Sequence, residues 1–362
     1  MSNYTKEEIL AIHNKPLMEL IYESANVHRE NHDASKIQVS TLISIKTGGC
    51  PEDCGYCPQA ARYQTGVEKN ELMPVGTVIG LAKKAKENGS SRVCMGAAWR
   101  NVKEGEDFEN VLEMVRGISN LNMEVCCTLG MVTESQALRL ADAGLHYYNH
   151  NLDTSEEYYK EVISTRGYDD RLQTLENVRK GSLKVCSGGI IGMGESVEDR
   201  VGMLMSLAKL SPQPESVPIN ALVPVEGTPM AEENVIPVWD VIRMIATTRI
   251  VMPKTIVRLS AGRTEMSTEA QALCFMAGAS SIFAGEKLLT TPNPGEDKDA
   301  EMFSLLGLTP IEKKKDNTGK FKIRKSLLEK EENVKWSRPG HIIERNVKAT
   351  EKAKELRKVM KK

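Results

Sequence analysis

Three thiols stand close together in this chain: Cys50, Cys54 and Cys57, in the run from Thr47 to Pro58 that reads TGGCPEDCGYCP. The spacing is C-x3-C-x2-C, with Tyr56 just before the last thiol. Three thiolates this near one another can hold three corners of an iron–sulfur cube. A [4Fe–4S] cluster normally takes four cysteines, so a loop with three leaves one iron open to a small chelating ligand. Two other readings are a zinc loop short of its fourth ligand and a set of free cysteines. Structural zinc usually draws paired C-x2-C or Cys/His sets, and none follows nearby, so the iron–sulfur reading is the stronger.

Something must position such a loop, and the rest of the chain alternates apolar β-branched runs with helical patterns. Strands are expected near 37–45, 92–97, 123–129, 147–153, 184–191, 216–223, 255–261 and 280–284. Helical spacing fills 78–88, 108–121, 135–143, 170–180, 197–210, 238–251 and 269–277, all but 108–121 stopped by a Gly or Pro where a helix end is expected. Eight strands alternating with helices predict an α/β fold, a (β/α)8 TIM-type barrel, with a doubly wound open sheet as the runner-up. An N-terminal helical segment is expected within residues 1–35, the barrel over 36–310, and a basic C-terminal extension over 311–362.

On this plan the other cysteines gain meaning. Cys94 falls on the second strand, Cys126 and Cys127 on the third, Cys186 on the fifth, and Arg258 on the seventh. Side chains alternate sides along a strand, so thiols from three strands and a guanidinium from a fourth can face one point inside the barrel and hold a second, smaller iron–sulfur cluster. Buried apolar cysteines are the alternative. Cys126 and Cys127 cannot both face inward, and periodicity does not choose between them. Arg92, two residues before Cys94, shares its face and either neutralises an anionic cluster or forms a structural ion pair. Cys274 sits in a helical pattern and reads as packing.

Composition sets bounds on the rest. The chain has 362 residues, 40% of them hydrophobic, and a net charge of -1, which points to no general electrostatic partner. No apolar leader precedes the first charged residues, and no apolar run is long enough to span a bilayer. Eight cysteines in so long a chain suit metal ligation in a reducing cytoplasm better than a disulfide framework. Residues 311–362 hold 18 Lys and Arg against 8 Asp and Glu, a balance of +10 that leaves the first 310 residues at -11. Nucleic-acid or membrane contact is one reading of that tail. Interleaved acids and few aromatics favour a solvated extension.

The triple-cysteine loop resembles the signature of the radical S-adenosylmethionine superfamily. A narrower resemblance, to the biotin synthase family, is carried by several further stretches. They are Ser44 to Gln59, Cys94 to Trp99, Tyr147 to Thr154, Val185 to Gly189, Val217 to Asn220, Val257 to Arg263 and Leu289 to Pro292, so the likeness runs through roughly residues 36–310. It implies sulfur insertion into dethiobiotin to form biotin, the last step of biotin biosynthesis, and three cofactors: a [4Fe–4S] cluster, a [2Fe–2S] cluster consumed as sulfur donor, and S-adenosyl-L-methionine. In that pattern Cys50, Cys54 and Cys57 ligate the [4Fe–4S] cluster. Cys94, Cys126, Cys186 and Arg258 ligate the [2Fe–2S] cluster, with Cys126 chosen over Cys127 by its place two residues before Thr128-Leu129-Gly130. An Arg ligand is unusual, because a protonated guanidinium offers donors and no lone pair. Tyr56, Asn151, Asp153, Arg171, Gly192 and Glu195 would contact S-adenosylmethionine, the first Asn–Asp pair at its ribose and Arg171 at its carboxylate. Asn149 and Asn220 would bond the ureido ring of dethiobiotin.

The resemblance also implies a homodimer, a one-electron reductant such as flavodoxin or ferredoxin, and iron–sulfur assembly proteins as partners. Two rivals are a different radical S-adenosylmethionine enzyme, which should lack the Cys94, Cys126, Cys186 and Arg258 set, and an iron–sulfur carrier, which should be a small domain with four-cysteine ligation.

Overall fold

The computed structural model describes residues 4–285 and 287–312. Most of the basic extension, from residue 313 on, therefore lies outside the described residues. Strands and helices alternate: α1 (Lys6–His13), α2 (Leu17–Asn31), β1 (Lys36–Lys46), α3 (Val75–Glu87), β2 (Arg92–Ala97), α4 (Glu106–Asn120), β3 (Glu124–Thr128), α5 (Glu134–Asp142) and β4 (Tyr147–Asn149). Then come α6 (Tyr159–Val162), α7 (Tyr168–Lys180), β5 (Lys184–Cys186), β6 (Gly189–Ile191), α8 (Val197–Lys209), β7 (Ser216–Ala221), α9 (Val238–Val251) and β8 (Ile256–Leu259). The described chain ends with α10 (Thr268–Met276), β9 (Ser281–Ala284), a β10–β11 hairpin (Lys287–Leu288, Thr291–Pro292), α11 (Glu296–Leu306) and β12 (Thr309–Pro310).

The strands pair in parallel in the order β1-β2-β3-β4-β5-β7-β8-β9, and β9 pairs back to β1, which closes the sheet into an eight-stranded barrel. The (β/α)8 expectation stands, and the open sheet does not.

Local chemistry accounts for most element ends. Thr5, Thr133 and Ser196 cap α1, α5 and α8, each returning a hydrogen bond to the third helical residue in a capping box. Pro74 and Pro237 stand at the entry of α3 and α9, where a missing N–H costs nothing.

The structure adds detail to two expectations. The N-terminal helical segment is two helices, because Pro16 cannot continue α1 and instead begins α2. The run 184–191 is two short strands, β5 and β6, both paired to β7. Pro218 lies in the middle of β7 and has no N–H to give its neighbour. Gly188, between β5 and β6, presses so close that an added Cβ would stand 2.0 Å from the Pro218 carbonyl oxygen.

Two apolar regions result. The larger lies between the barrel and its helices and includes Val93, Met95, Val125, Cys127 and Tyr148. The smaller lies inside the barrel and gathers Cys94, Cys126, Tyr147, Cys186, Phe283 and Leu288. Outside the ring, α1 packs on α8 and α9, and α2 packs along α9. Among the described residues no helix is long and apolar enough to cross a membrane.

Two histidines are buried in this outer layer. The His13 ring meets the Thr247 hydroxyl at 3.2 Å, and burial, with Arg243 nearby, lowers its pKa to about 4. Burial and Arg249 lower His28 to about 3. Both bind a proton in the unfolded chain before they bind one in the folded chain. Stability is therefore complete above about pH 6.5 and declines as pH falls toward 4, by about 1 kcal/mol per pH unit for each histidine. Thermal unfolding followed from pH 7 to pH 5 should show this decline, and His28→Leu should flatten it.

Candidate active site

The cysteine loop leaves the end of β1 and is bolted to the rest of the barrel on several sides. The Cys50 N–H donates to the Gln59 carbonyl at 3.0 Å, and the Ala61 N–H donates to the Cys50 carbonyl at 2.7 Å. The Gly55 N–H reaches the Val162 carbonyl at 2.8 Å. Asp53 carries the strongest tie. Its carboxylate accepts from the N–H groups of Ser164 and Thr165 at 3.0 and 3.1 Å, and from both of their hydroxyls. Burial works to raise this carboxyl, but hydrogen bonds from Ser164 and Thr165 outweigh it and hold the group below the usual carboxylate range. Glu52, also buried, faces the Thr165 hydroxyl and the guanidiniums of Arg100 and Arg166. Burial pushes the Cys54 thiol well up and Cys57 to about 12. Iron binding there has to displace protons, as thiolate ligation in general does.

The second thiol group sits inside the barrel because of register. Cys94 on β2 is the direct partner of Cys126 on β3, Cys126 of Tyr147 on β4, and Asn149 of Cys186 on β5. Cys126 hydrogen-bonds to both Cys94 and Cys186. That bond lowers the pKa of each, with Arg258 and Arg92 adding to it against the effect of burial. Cys127 points the other way, into the apolar layer under the helices. Arg258 is buried over the Phe283 ring, 4.4 Å from its centroid, and donates to the Ser281 hydroxyl at 3.0 Å and to Gln38 and Ser40 at 3.3 Å. Arg92 does pair, with Glu124 at 2.8 Å, and lies 3.7 Å over the Tyr147 ring centroid, yet among the described residues its Nη1 has no partner. Cys274 is buried, as a packing residue would be.

One cavity of about 340 Å³ joins the two groups. Cys50, Tyr56 and Cys57 line it at one end; Cys94, Cys126 and Arg258 line it at the other. Asn149, Asn151 and Asn220 lie on its wall, and Leu289, Thr290 and Thr291 of the β10–β11 hairpin complete it. The donor sets fit iron–sulfur clusters: three thiols in one loop, and three hydrogen-bonded thiols beside a guanidinium, both opening on a shared space. Among the described residues no three His, Cys, Asp or Glu groups are spaced for a single metal ion.

The remaining predicted residues divide between wall and support. Asn149 accepts from the Thr128 hydroxyl at 3.1 Å and faces Asn151 Oδ1 at 3.2 Å; Asn220 donates to the Gly189 carbonyl at 2.9 Å. Asp153 has φ +70° and is buried. The Tyr56 hydroxyl donates to its Oδ2 at 2.9 Å, and Arg171 pairs with the same oxygen. Arg171 is itself buried and gives its other donors to the Tyr159 hydroxyl and the Asn151 carbonyl. Its place is therefore behind Asp153 rather than on the cavity wall. Glu195 accepts from the N–H groups of Gly192 and Met193 at 2.9 and 2.7 Å and pairs with Arg200 at 2.7 Å, so it braces the glycine turn from beneath.

Sequence reading missed the Asp53 tie to Ser164 and Thr165, the Tyr159 support of Arg171, and Leu288 inside the barrel. Asp53→Asn removes the charge that four donors share. It should lower the unfolding free energy of the iron-free protein by about 2 kcal/mol and reduce the iron retained after anaerobic reconstitution. Thermal unfolding and iron analysis check the two effects separately.

Comparison with known proteins fits this geometry. The Radical SAM superfamily matches residues 44–207, and the Biotin and Thiamin Synthesis associated domain matches residues 218–309. The biotin synthase of Flavobacterium johnsoniae is 67% identical over 97% of this chain and 98% of its own. The mitochondrial biotin synthase of Arabidopsis thaliana is 56% identical over 85% of this chain and 82% of its own. Among solved structures, methylornithine synthase superposes with a TM-score of 0.72 at 16% identity, covering 86% of this chain and 96% of its own. The FeFe-hydrogenase maturase of Carboxydothermus hydrogenoformans gives 0.73 at 16%, covering 85% and 76%; these two share the fold. With two thirds of its residues identical to such a relative over nearly its whole length, the chain belongs to the biotin synthase family of radical S-adenosylmethionine enzymes.

Proposed function

We propose that the cavity joining the two thiol groups is where this enzyme converts dethiobiotin to biotin by radical sulfur insertion. The single observation that carries the site assignment is that one space touches both Cys50 and Cys57 and the Cys94, Cys126 and Arg258 set. The bonds to be broken are unactivated C–H bonds, beyond the reach of side-chain acids and bases, so cofactors must carry the hard chemistry while the protein binds and orients. When bound, a reduced [4Fe–4S] cluster with S-adenosylmethionine supplies a 5′-deoxyadenosyl radical for hydrogen abstraction, and a [2Fe–2S] cluster supplies the sulfur.

The chain's own residues then have these tasks. Cys50, Cys54 and Cys57 hold the first cluster in a loop fixed by Asp53. Cys94, Cys126, Cys186 and Arg258 hold the second one deep in the barrel. Asn151 and Asp153 take the ribose hydroxyls of S-adenosylmethionine. Tyr56 and Arg171 keep the Asp153 carboxylate in a single orientation, so Arg171 acts as a positioning residue. Glu195 holds the Gly192 turn in the shape that lets backbone approach the adenine. Asn149 and Asn220 offer amide donors and acceptors to the cyclic urea of dethiobiotin. Leu42, Phe283 and Leu288 keep the inner end apolar, where a carbon radical is kept from water. A one-electron reductant is required. The natural one is a flavodoxin or ferredoxin, the enzyme works as a homodimer in the cytoplasm, and iron–sulfur assembly proteins restore the consumed cluster. The polypeptide divides at residues 35 and 310 into an N-terminal helical segment, the barrel and the basic extension.

The neighbouring cysteines on β3 give a sharp test. Cys126→Ala should abolish biotin formation and the [2Fe–2S] spectrum, while the [4Fe–4S] cluster and S-adenosylmethionine binding persist. Cys127→Ala should retain both clusters and at least half of the activity. Visible and Mössbauer spectra with biotin assays on the two variants check this; equal losses in both would sink the assignment.

A further inference from the structure

Behind one wall of the cavity lies a group of buried polar residues to which the reaction assigns nothing. The wall is the β10–β11 hairpin: Leu288 to Thr291 line the cavity, and Leu288 joins Cys94 and Cys126 in the inner apolar group. The hairpin's own ladder has only two residue pairs, Lys287 with Pro292 and Leu288 with Thr291. Leu289, at its turn, has φ +48°, a left-handed conformation that a leucine keeps only where its surroundings impose it. One such constraint is Gly96 on β2, where an added Cβ would stand 2.9 Å from Leu289 Cδ2. Others come from behind. Asn293, buried just after the hairpin, donates to the Phe283 carbonyl at 3.0 Å and to the Gly285 carbonyl at 2.6 Å, so it ties the hairpin's exit to its entry. Arg263 is also buried. It donates to the same Phe283 carbonyl at 3.0 Å and to Gln271 at 3.0 Å, and it pairs with Asp299 in the first turn of α11. The Phe283 carbonyl is thus a shared anchor on β9, a strand held on both sides by β1 and β8. Among the described residues that line the cavity, Asn293, Arg263 and Asp299 are absent.

We propose that Asn293, Arg263 and Asp299 are positioning residues for dethiobiotin: by fixing the β10–β11 hairpin to the end of β9, they set one wall of the cavity before the substrate arrives. This rests on the reading of the cavity as the dethiobiotin site. Leu288 belongs with the Cys94 and Cys126 end of the space, whereas Tyr56 lies with Cys50 and Cys57 at the other. A wall seated in advance spares the substrate the cost of ordering it. Loosening that wall weakens dethiobiotin binding in proportion to the time the hairpin spends unseated. S-adenosylmethionine, at the other end, keeps its affinity. A merely structural role for the three residues would lower stability and weaken both ligands alike.

The test uses the full chain with its clusters reconstituted anaerobically, as the parent, Asn293→Ala and Asp299→Asn. Equilibrium dialysis without reductant gives the affinity for S-adenosylmethionine alone and for dethiobiotin in its presence, and amide hydrogen exchange reads the hairpin. Asn293→Ala should weaken dethiobiotin about tenfold, the loss expected if the hairpin is then seated about a tenth of the time, and Asp299→Asn about threefold. The affinity for S-adenosylmethionine should stay within about twofold and the cluster spectra should not change. Exchange should quicken at residues 287–292 and not in β1 to β3. Dethiobiotin affinity within twofold of the parent in both variants, or an equal loss for both ligands, would overturn the proposal. If Asn293→Ala does not fold, Asp299→Asn decides alone. A parent protein that binds no dethiobiotin would overturn the substrate reading instead. Hairpin exchange would then decide the positioning role, with faster exchange in the variants upholding it and unchanged exchange ending it.

Discussion

Closure of the sheet between β1 and β9 is the constraint on which the rest depends. An open parallel sheet has two faces, each covered by helices, and residues on distant strands do not meet. Closing it turns one face into an interior. Residues separated by more than 160 positions, such as Cys94 and Arg258, then look into the same space. Everything that gives the second thiol group its character follows from this: full burial, mutual hydrogen bonds, and two guanidiniums with few carboxylates to compete for them. The same closure puts strand ends at one mouth, where the first cysteine loop begins.

The two thiol groups are held in different ways. Those inside the barrel are fixed by backbone pairing, so their spacing is set by the sheet itself. Those in the loop have no such ladder and depend on side chains, above all on one carboxylate. Support of this kind recurs across the site. Asp153 is held by Tyr56 and Arg171, and the Gly192 turn by Glu195. In each case a buried acid serves as a common acceptor that pins several donors at once, which makes its geometry stiffer than any single hydrogen bond would.

Much of this was legible in the sequence. Periodicity two runs and Gly or Pro stops marked the strands and helices, and the C-x3-C-x2-C loop marked its own chemistry. What was not legible depended on contacts across long stretches of chain. Asp53 reads as one acid among many until Ser164 arrives 111 residues later to bond it. The break between β5 and β6 is caused by Pro218, which lies on another strand. Strand alternation separates Cys126 from Cys127, but only the pairing partners of β3 say which one turns inward.

That adjacency gives Arg92 a part that has nothing to do with ligands. A one-residue slip of β3 would exchange Cys127 for Cys126 inside the barrel, leaving the number of interior sulfurs and the apolar volume nearly the same. Hydrophobic burial therefore discriminates poorly between the correct chain alignment and its nearest error. Glu124 does discriminate. In the correct alignment it meets Arg92 and the Gln38 amide. In the slipped one it would be driven, charged and unpaired, into the apolar layer beneath the helices, at a cost of several kcal/mol. The ion pair beside the thiols thus disfavours a register of β3 that would carry Cys127 to the place of Cys126.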